Sequence, residues 1–218
     1  MTISLNDFDL DLHFSSAVYR SNLPQYLNTL RPVASQYISA ALEQRPRDHI
    51  YPTIMTDPMQ FDERVIAFRD NILDIAWQVL DSQGYFMDPF FTTCAAMWTQ
   101  NHPETSGMEY HVHGDGNQLN AFYFIDIPDD SMHMIAHDPR PAKNILNLPL
   151  KQTDTLTMGH GMVFYTPKPG DLFITNSWLP HSFTRNRSKS DVNFIHMNIN
   201  VIPNPDYRPP EKTEPIIV

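Results

Sequence analysis

Cysteine is all but missing from these 218 residues: Cys94 stands alone, so the chain can close no disulfide on itself. Thiol usage therefore gives no support to an oxidising compartment. Glycine is scarce as well, 7 against 19 prolines. Few flexible points and many rigid ones suit a compact β-protein with stiff connections better than a disordered chain. No apolar run approaches the roughly 18 residues of a membrane span. Met1 to Leu10 carry acids and lack the cationic-then-apolar pattern of a leader. Positive charge is also short, with 15 Lys and Arg against 25 acids and a formal balance of −10. That disfavours a surface built for nucleic-acid phosphates. The expectation is a cytoplasmic protein with no membrane partner, one domain long, whose 41% hydrophobic residues suffice for a core.

Along the chain, Phe8 to Arg20 largely alternates apolar and polar residues, as one or two short strands do. Helical spacing follows from about Asn22 to Leu42, with an interruption expected near Pro32. A second helix is expected with Asp57 as its cap, Pro58 at its first position and Gln60 completing a capping box. Phe61, Val65, Phe68, Ile72, Ala76 and Leu80 then recur at helical intervals. From about Gly84 the pattern changes. Tyr85–Thr99, 108–113, 119–127, 131–137, 161–165, 171–175 and 192–202 all have strand character, separated by loops rich in Pro, Asp, Asn and Ser. Many short strands in succession indicate a sandwich or barrel. The expected organisation is a strand-and-helix preface over 1–83, a β core over 84–202 and an extended tail over 203–218. Lys143–Thr157 would be a loop over one mouth of the barrel.

Ten histidines are many for this length. His111 and His113 stand two apart, and on a strand that spacing puts them on one face, in a row with Glu109 and Asp115. Two donors held at fixed separation on a rigid strand are what a facial metal site needs first. Pro169-Gly170 then starts a strand that leads through Trp178-Leu-Pro to His181. A distant His brought beside such a pair by barrel closure builds a two-His-one-carboxylate or three-His site with open positions, a pattern that suits iron(II). The bland alternatives are a solvated histidine pair on a strand edge and His181 as a packing partner of Trp178. Cys94, within Thr92-Thr-Cys-Ala-Ala, is expected simply to pack.

From about Phe91 to Val201 the chain resembles the non-haem iron, 2-oxoglutarate-dependent oxygenases, in particular a small group of hydroxylases common in marine bacteria and phages. The resemblance rests on Trp98-Thr-Gln, Tyr110-His-Val-His113, Asn120-Ala-Phe-Tyr-Phe124, His137-Asp-Pro-Arg140, Pro169-Gly-Asp-Leu-Phe173, Trp178-Leu-Pro-His181 and the strand Val192 to Asn198, in that order. Leu12 to Tyr19 and the helices after it also suit the group. Each motif is weak by itself and the order gives them weight. The resemblance implies a mainly β fold, a double-stranded β-helix or jelly roll with an N-terminal helical portion. It also implies Fe(II) and 2-oxoglutarate as cofactors and hydroxylation of a peptide side chain or small molecule.

Two registers are open for the metal. His111-Val-His113 with His181 gives three histidines; His113-Gly-Asp115 with His181 restores the carboxylate usual in the superfamily, and this second register is the expectation, with His111 as the alternative ligand. Relatives also carry an Arg on the strand after the distal His to grip the far carboxylate of 2-oxoglutarate. Here that place falls near Val192 or Asn193, neither of which is charged. Tyr123, Arg185 and Asn198 are the expected co-substrate contacts instead. Two other functions fit the residues: a cupin-type metal dioxygenase or isomerase that uses no keto acid, and a non-catalytic jelly-roll binding module. Exposed strand edges and the helical preface are compatible with a homodimer.

Overall fold

The computed structural model describes residues 9–146 and 148–209. Its frame is two antiparallel sheets. The larger has the order β1-β8-β5-β10-β3-β2, formed by β1 (Val18–Asn22), β2 (Ile54–Met55), β3 (Phe90–His102), β5 (Asn117–Asp126), β8 (Asp171–Asn176) and β10 (Val192–Pro203). The smaller has the order β4-β9-β6-β7, formed by β4 (Met108–His111), β6 (Met134–His137), β7 (Met162–Tyr165) and β9 (His181–Phe183). The sheets face each other as a jelly roll, the architecture expected of the many short strands.

Both faces of the large sheet are buried, each against a different layer. Leu119, Ala121, Tyr123 and Ile125 of β5, Leu172 and Ile174 of β8, and Ile195, Met197 and Ile199 of β10 pack against the helices. The alternate residues, Phe122, Phe124, Phe173, Val192 and Phe194, point into the barrel, where they meet Met132, Met134 and Phe183. The period-2 geometry of a strand thus divides each sequence between a helix-facing core and a barrel core.

The helices are α1 (Leu27–Gln44) and α2 (Ile66–Ser82). α1 runs through Pro32 without a break. A proline there loses the hydrogen bond to the carbonyl four residues earlier and its ring crowds that carbonyl, but buried Leu30, Val33, Ala34 and Ile38 hold the turns on either side. α2 starts later than its sequence suggests. Asp62 rather than Asp57 caps the turn leading into it, accepting from Arg64 N–H at 3.0 Å. The Asp57–Gln60 stretch is instead held along β3, where Met59 N–H donates to Met97 O at 2.7 Å and Gln60 Oε1 accepts from Met97 N–H. α2 presents Phe68, Ile72, Ala76, Val79 and Leu80 to the sheet, and Phe68 meets Tyr123 with ring centroids 4.9 Å apart. Each of its large apolar side chains contributes about 1.5–3 kcal/mol through burial. Of the expected N-terminal strands only β1 forms among the described residues; 9–17 are not strand, and Phe8 lies outside them. Among the described residues no helix is long and apolar enough to cross a membrane.

Candidate metal centre

β4 and β9 pair at the edge of the small sheet with His111 directly opposite His181. Their rings meet edge-on, centroids 4.4 Å apart. β4 ends at His111, and His113 follows on a segment pinned by its own backbone N–H, which donates to Ser177 O at 3.0 Å. This brings the His113 ring to 5.1 Å from His111 and 5.3 Å from His181. One ring nitrogen from each histidine lies within 4.8 Å of the other two.

The hydrogen bonds decide which nitrogens these are. His111 Nδ1 lies 2.7 Å from Glu109 O, and His181 Nδ1 lies 3.1 Å from Leu179 O. A carbonyl only accepts, so each Nδ1 carries the proton and each Nε2 keeps a free lone pair. This backbone anchoring is how metal-ligating histidines are usually oriented. The Nε2 atoms of His113 and His181 are buried and have no partner among the described residues. Burial pushes the His181 imidazole down to about 3 and that of His113 down to about 4, with His111 adding repulsion in both cases. Neutral, unpaired imidazole nitrogens converging on one point fit a divalent cation.

Asp115 is not in this group. The strand stops at His111, so the two-residue alternation does not carry on to 115. Gly114 to Gly116 turns the chain back into β5, with Asn117 N–H donating to Gly114 O, and Asp115 lies exposed at the tip with φ 55°. The structure therefore assembles the three-histidine set and leaves out the carboxylate.

The expected co-substrate contacts divide as well. Tyr123 points away from the barrel: it is buried against the helices, and its hydroxyl donates to Leu23 O at 2.8 Å. Arg185 is exposed, with Nη1 donating to Thr105 O at 3.2 Å on the turn between β3 and β4. Asn198 does reach the centre. Its Oδ1 accepts from His196 Nε2 at 2.9 Å, and it also touches His113.

His196 was not expected here. It is almost wholly buried, stacked on His113 with centroids 4.8 Å apart and tilted against Trp98 at 4.4 Å. Its signal is the same one that marks His111 and His113: His196 and Asn198 are two apart on one strand. His137 also approaches, sharing a hydrogen bond with Ser182 Oγ at 2.8 Å and meeting Tyr110 edge-on at 4.9 Å. The place on β10 where a cation was missing is filled by Val192, buried among Phe122, Phe124, Phe183 and Phe194.

The fold is similar to that of AviO1 from Streptomyces viridochromogenes Tue57, at 13% identity and a TM-score of 0.59, over 89% of this chain and 92% of that one. It is similar to a Pseudomonas putida prolyl-4-hydroxylase at 12% identity and TM-score 0.55, over 85% and 94% of the two chains. It is also similar to the epimerase SnoN, whose structure holds Fe3+ and alpha ketoglutarate, at 13% identity and TM-score 0.55, over 93% and 89%. Identities this low speak for a shared fold. No curated protein matches the sequence. Residues 96–194 match the sequence model of a family described as "Putative 2OG-Fe(II) oxygenase", a stretch that runs from within β3 into β10. That stretch contains His111, His113 and His181, so the part of the chain that carries the three histidines is similar to the 2OG-Fe(II) oxygenases.

Proposed function

We propose that the protein binds one Fe(II) through the Nε2 atoms of His111, His113 and His181 and uses it, with 2-oxoglutarate, to hydroxylate a C–H bond of a small molecule or peptide side chain. The observation that carries the ligand set is the convergence of three imidazoles, those of His111 and His181 anchored through Nδ1 so that Nε2 is free, with the Nε2 atoms of His113 and His181 buried and unpartnered among the described residues. Iron and keto acid together supply the oxidising power: 2-oxoglutarate and O2 are converted to succinate and CO2, and the remaining oxygen atom enters the substrate.

The chain's own residues set the stage for that reaction. Phe122 closes on His181 at 5.1 Å and on His196 at 4.6 Å, excluding water from the barrel side. Asn198 holds His196 and steadies the His113 ring. Tyr110, Val112 and Trp178 are exposed close to the ligands in sequence, a rim suited to a partly apolar substrate. The acidic balance disfavours nucleic acid.

The test is anaerobic titration of the purified protein with Fe(II) and then 2-oxoglutarate. A weak visible charge-transfer band is expected, together with loss of bound iron in His113→Ala. Iron that binds without giving the band would remove 2-oxoglutarate from the proposal, and iron retained by His113→Ala would remove the ligand set.

A further inference from the structure

Two polar side chains on the inner wall of the large sheet have no partner among the described residues. Asn120 of β5 and Thr175 of β8 are fully buried and face each other across the strand pair. Asn120 Oδ1 and Nδ2 and Thr175 Oγ1 are all without hydrogen bonds. A buried polar group left unpaired costs about 1–3 kcal/mol, so three such atoms side by side mark a place arranged for a polar guest. That place adjoins the metal centre. Opposite Asn120 on β10 is Asn198, which touches His113. One row further along is His196, paired across the strands with Trp98, whose indole N–H is another buried donor without a partner.

A 2-oxo acid that chelates a metal through its 1-carboxylate and oxo group leaves its far carboxylate for the protein to receive. A guanidinium or ammonium is the strong way to do so. Among the described residues no Lys or Arg is buried. Arg185 and Arg187 are exposed, and Arg47 pairs with Asp191 at 2.8 Å. Val192 and its aromatic neighbours close off the deeper part of the barrel, where an unpaired carboxylate would be strongly disfavoured.

We infer that the far carboxylate of 2-oxoglutarate is received by uncharged donors, the Asn120 amide and the Thr175 hydroxyl, in place of a cation. This rests on the iron and 2-oxoglutarate proposal above. A hydrogen bond from a neutral donor to a charged acceptor corresponds to about a 10- to 100-fold change in affinity when it is removed.

The test compares two keto acids on Fe(II)-loaded protein without oxygen, by calorimetry and by the visible band: 2-oxoglutarate, and pyruvate, which chelates identically but lacks the far carboxylate. Wild type should prefer 2-oxoglutarate at least tenfold. Thr175→Val, which keeps the side-chain shape, and Asn120→Ala should each weaken 2-oxoglutarate about tenfold or more, with iron content and pyruvate affinity unchanged. Equal affinity for the two acids in wild type, or an undiminished preference in Thr175→Val, overturns the inference and leaves the oxygenase proposal standing. Binding of neither acid to iron-loaded wild type overturns the oxygenase proposal itself.

Discussion

At the scale of single residues, spacing two apart on a strand proved the informative signal and also the limit of what could be extracted. It placed His111 and His113 together correctly, because β4 and the pinned segment after it keep both rings on one side. It failed for Asp115 because the strand stops before the row is complete, and a turn residue obeys no alternation. Tyr123, expected as a co-substrate contact, lies on the helix side of the sheet, and the sequence hides this for a different reason. Strand β5 is buried on both faces, so Ala121-Phe-Tyr-Phe shows no polar side that would fix its parity. The metal register can be checked directly. His111→Ala should lower bound iron at least tenfold, while Asp115→Ala should leave it unchanged, both measured by metal analysis after anaerobic loading. Iron lost from Asp115→Ala would reinstate the carboxylate register.

At the scale of elements, what brings His111 opposite His181 is the close approach of the chain before β4 to the chain after β9. Gly107 makes that approach possible. A Cβ there would stand 2.9 Å from Phe183 O and 3.2 Å from the carbonyl group of Thr184, all backbone atoms that cannot swing aside. Gly107→Ala should therefore lower stability by about 1–3 kcal/mol, a fall of several degrees in Tm, and weaken iron binding with it. Gly114→Ala is the matched control, since nothing lies within 4 Å of its Cβ; it should leave the thermal midpoint where it is. The strands after Gly84 were legible in outline because turn residues bound them. The start of α2 was not: Asp57-Pro-Met-Gln carries every local mark of a helix start, and pairing with β3, a contact distant in sequence, overrides them.

At the scale of the whole molecule, the barrel interior holds buried imidazoles that resist protonation. His102 is the clearest case away from the metal centre. It is fully buried, stacked on Phe194 at 5.3 Å and bonded through Nε2 to Gln100 at 3.0 Å. Burial, helped by Arg47, pushes its pKa from 6.5 down to about 3. Between those values the unfolded chain binds a proton that the folded chain refuses, so stability is intact above 6.5 and is lost as the pH falls towards 3. His102→Phe keeps the stack and removes the titration. Urea unfolding of the metal-free proteins should show the variant's stability falling less steeply between pH 6 and 4, by about 1.4 kcal/mol per pH unit. An unchanged slope would mean that protons reach His102 in the folded state.

The proposed donor set lacks a carboxylate, and that has a consequence for handling the protein. Three imidazoles discriminate poorly in favour of iron, because nitrogen donors hold nickel, copper and zinc more tightly along the first-row series. Protein taken from nickel-affinity resin should carry close to one equivalent of nickel by mass spectrometry and show no oxygen uptake. Stripping with a chelator and refilling with ferrous salt under argon should restore turnover. The cell that makes this protein must then win by supply what the site does not secure by preference, keeping competing metals scarce where the chain folds.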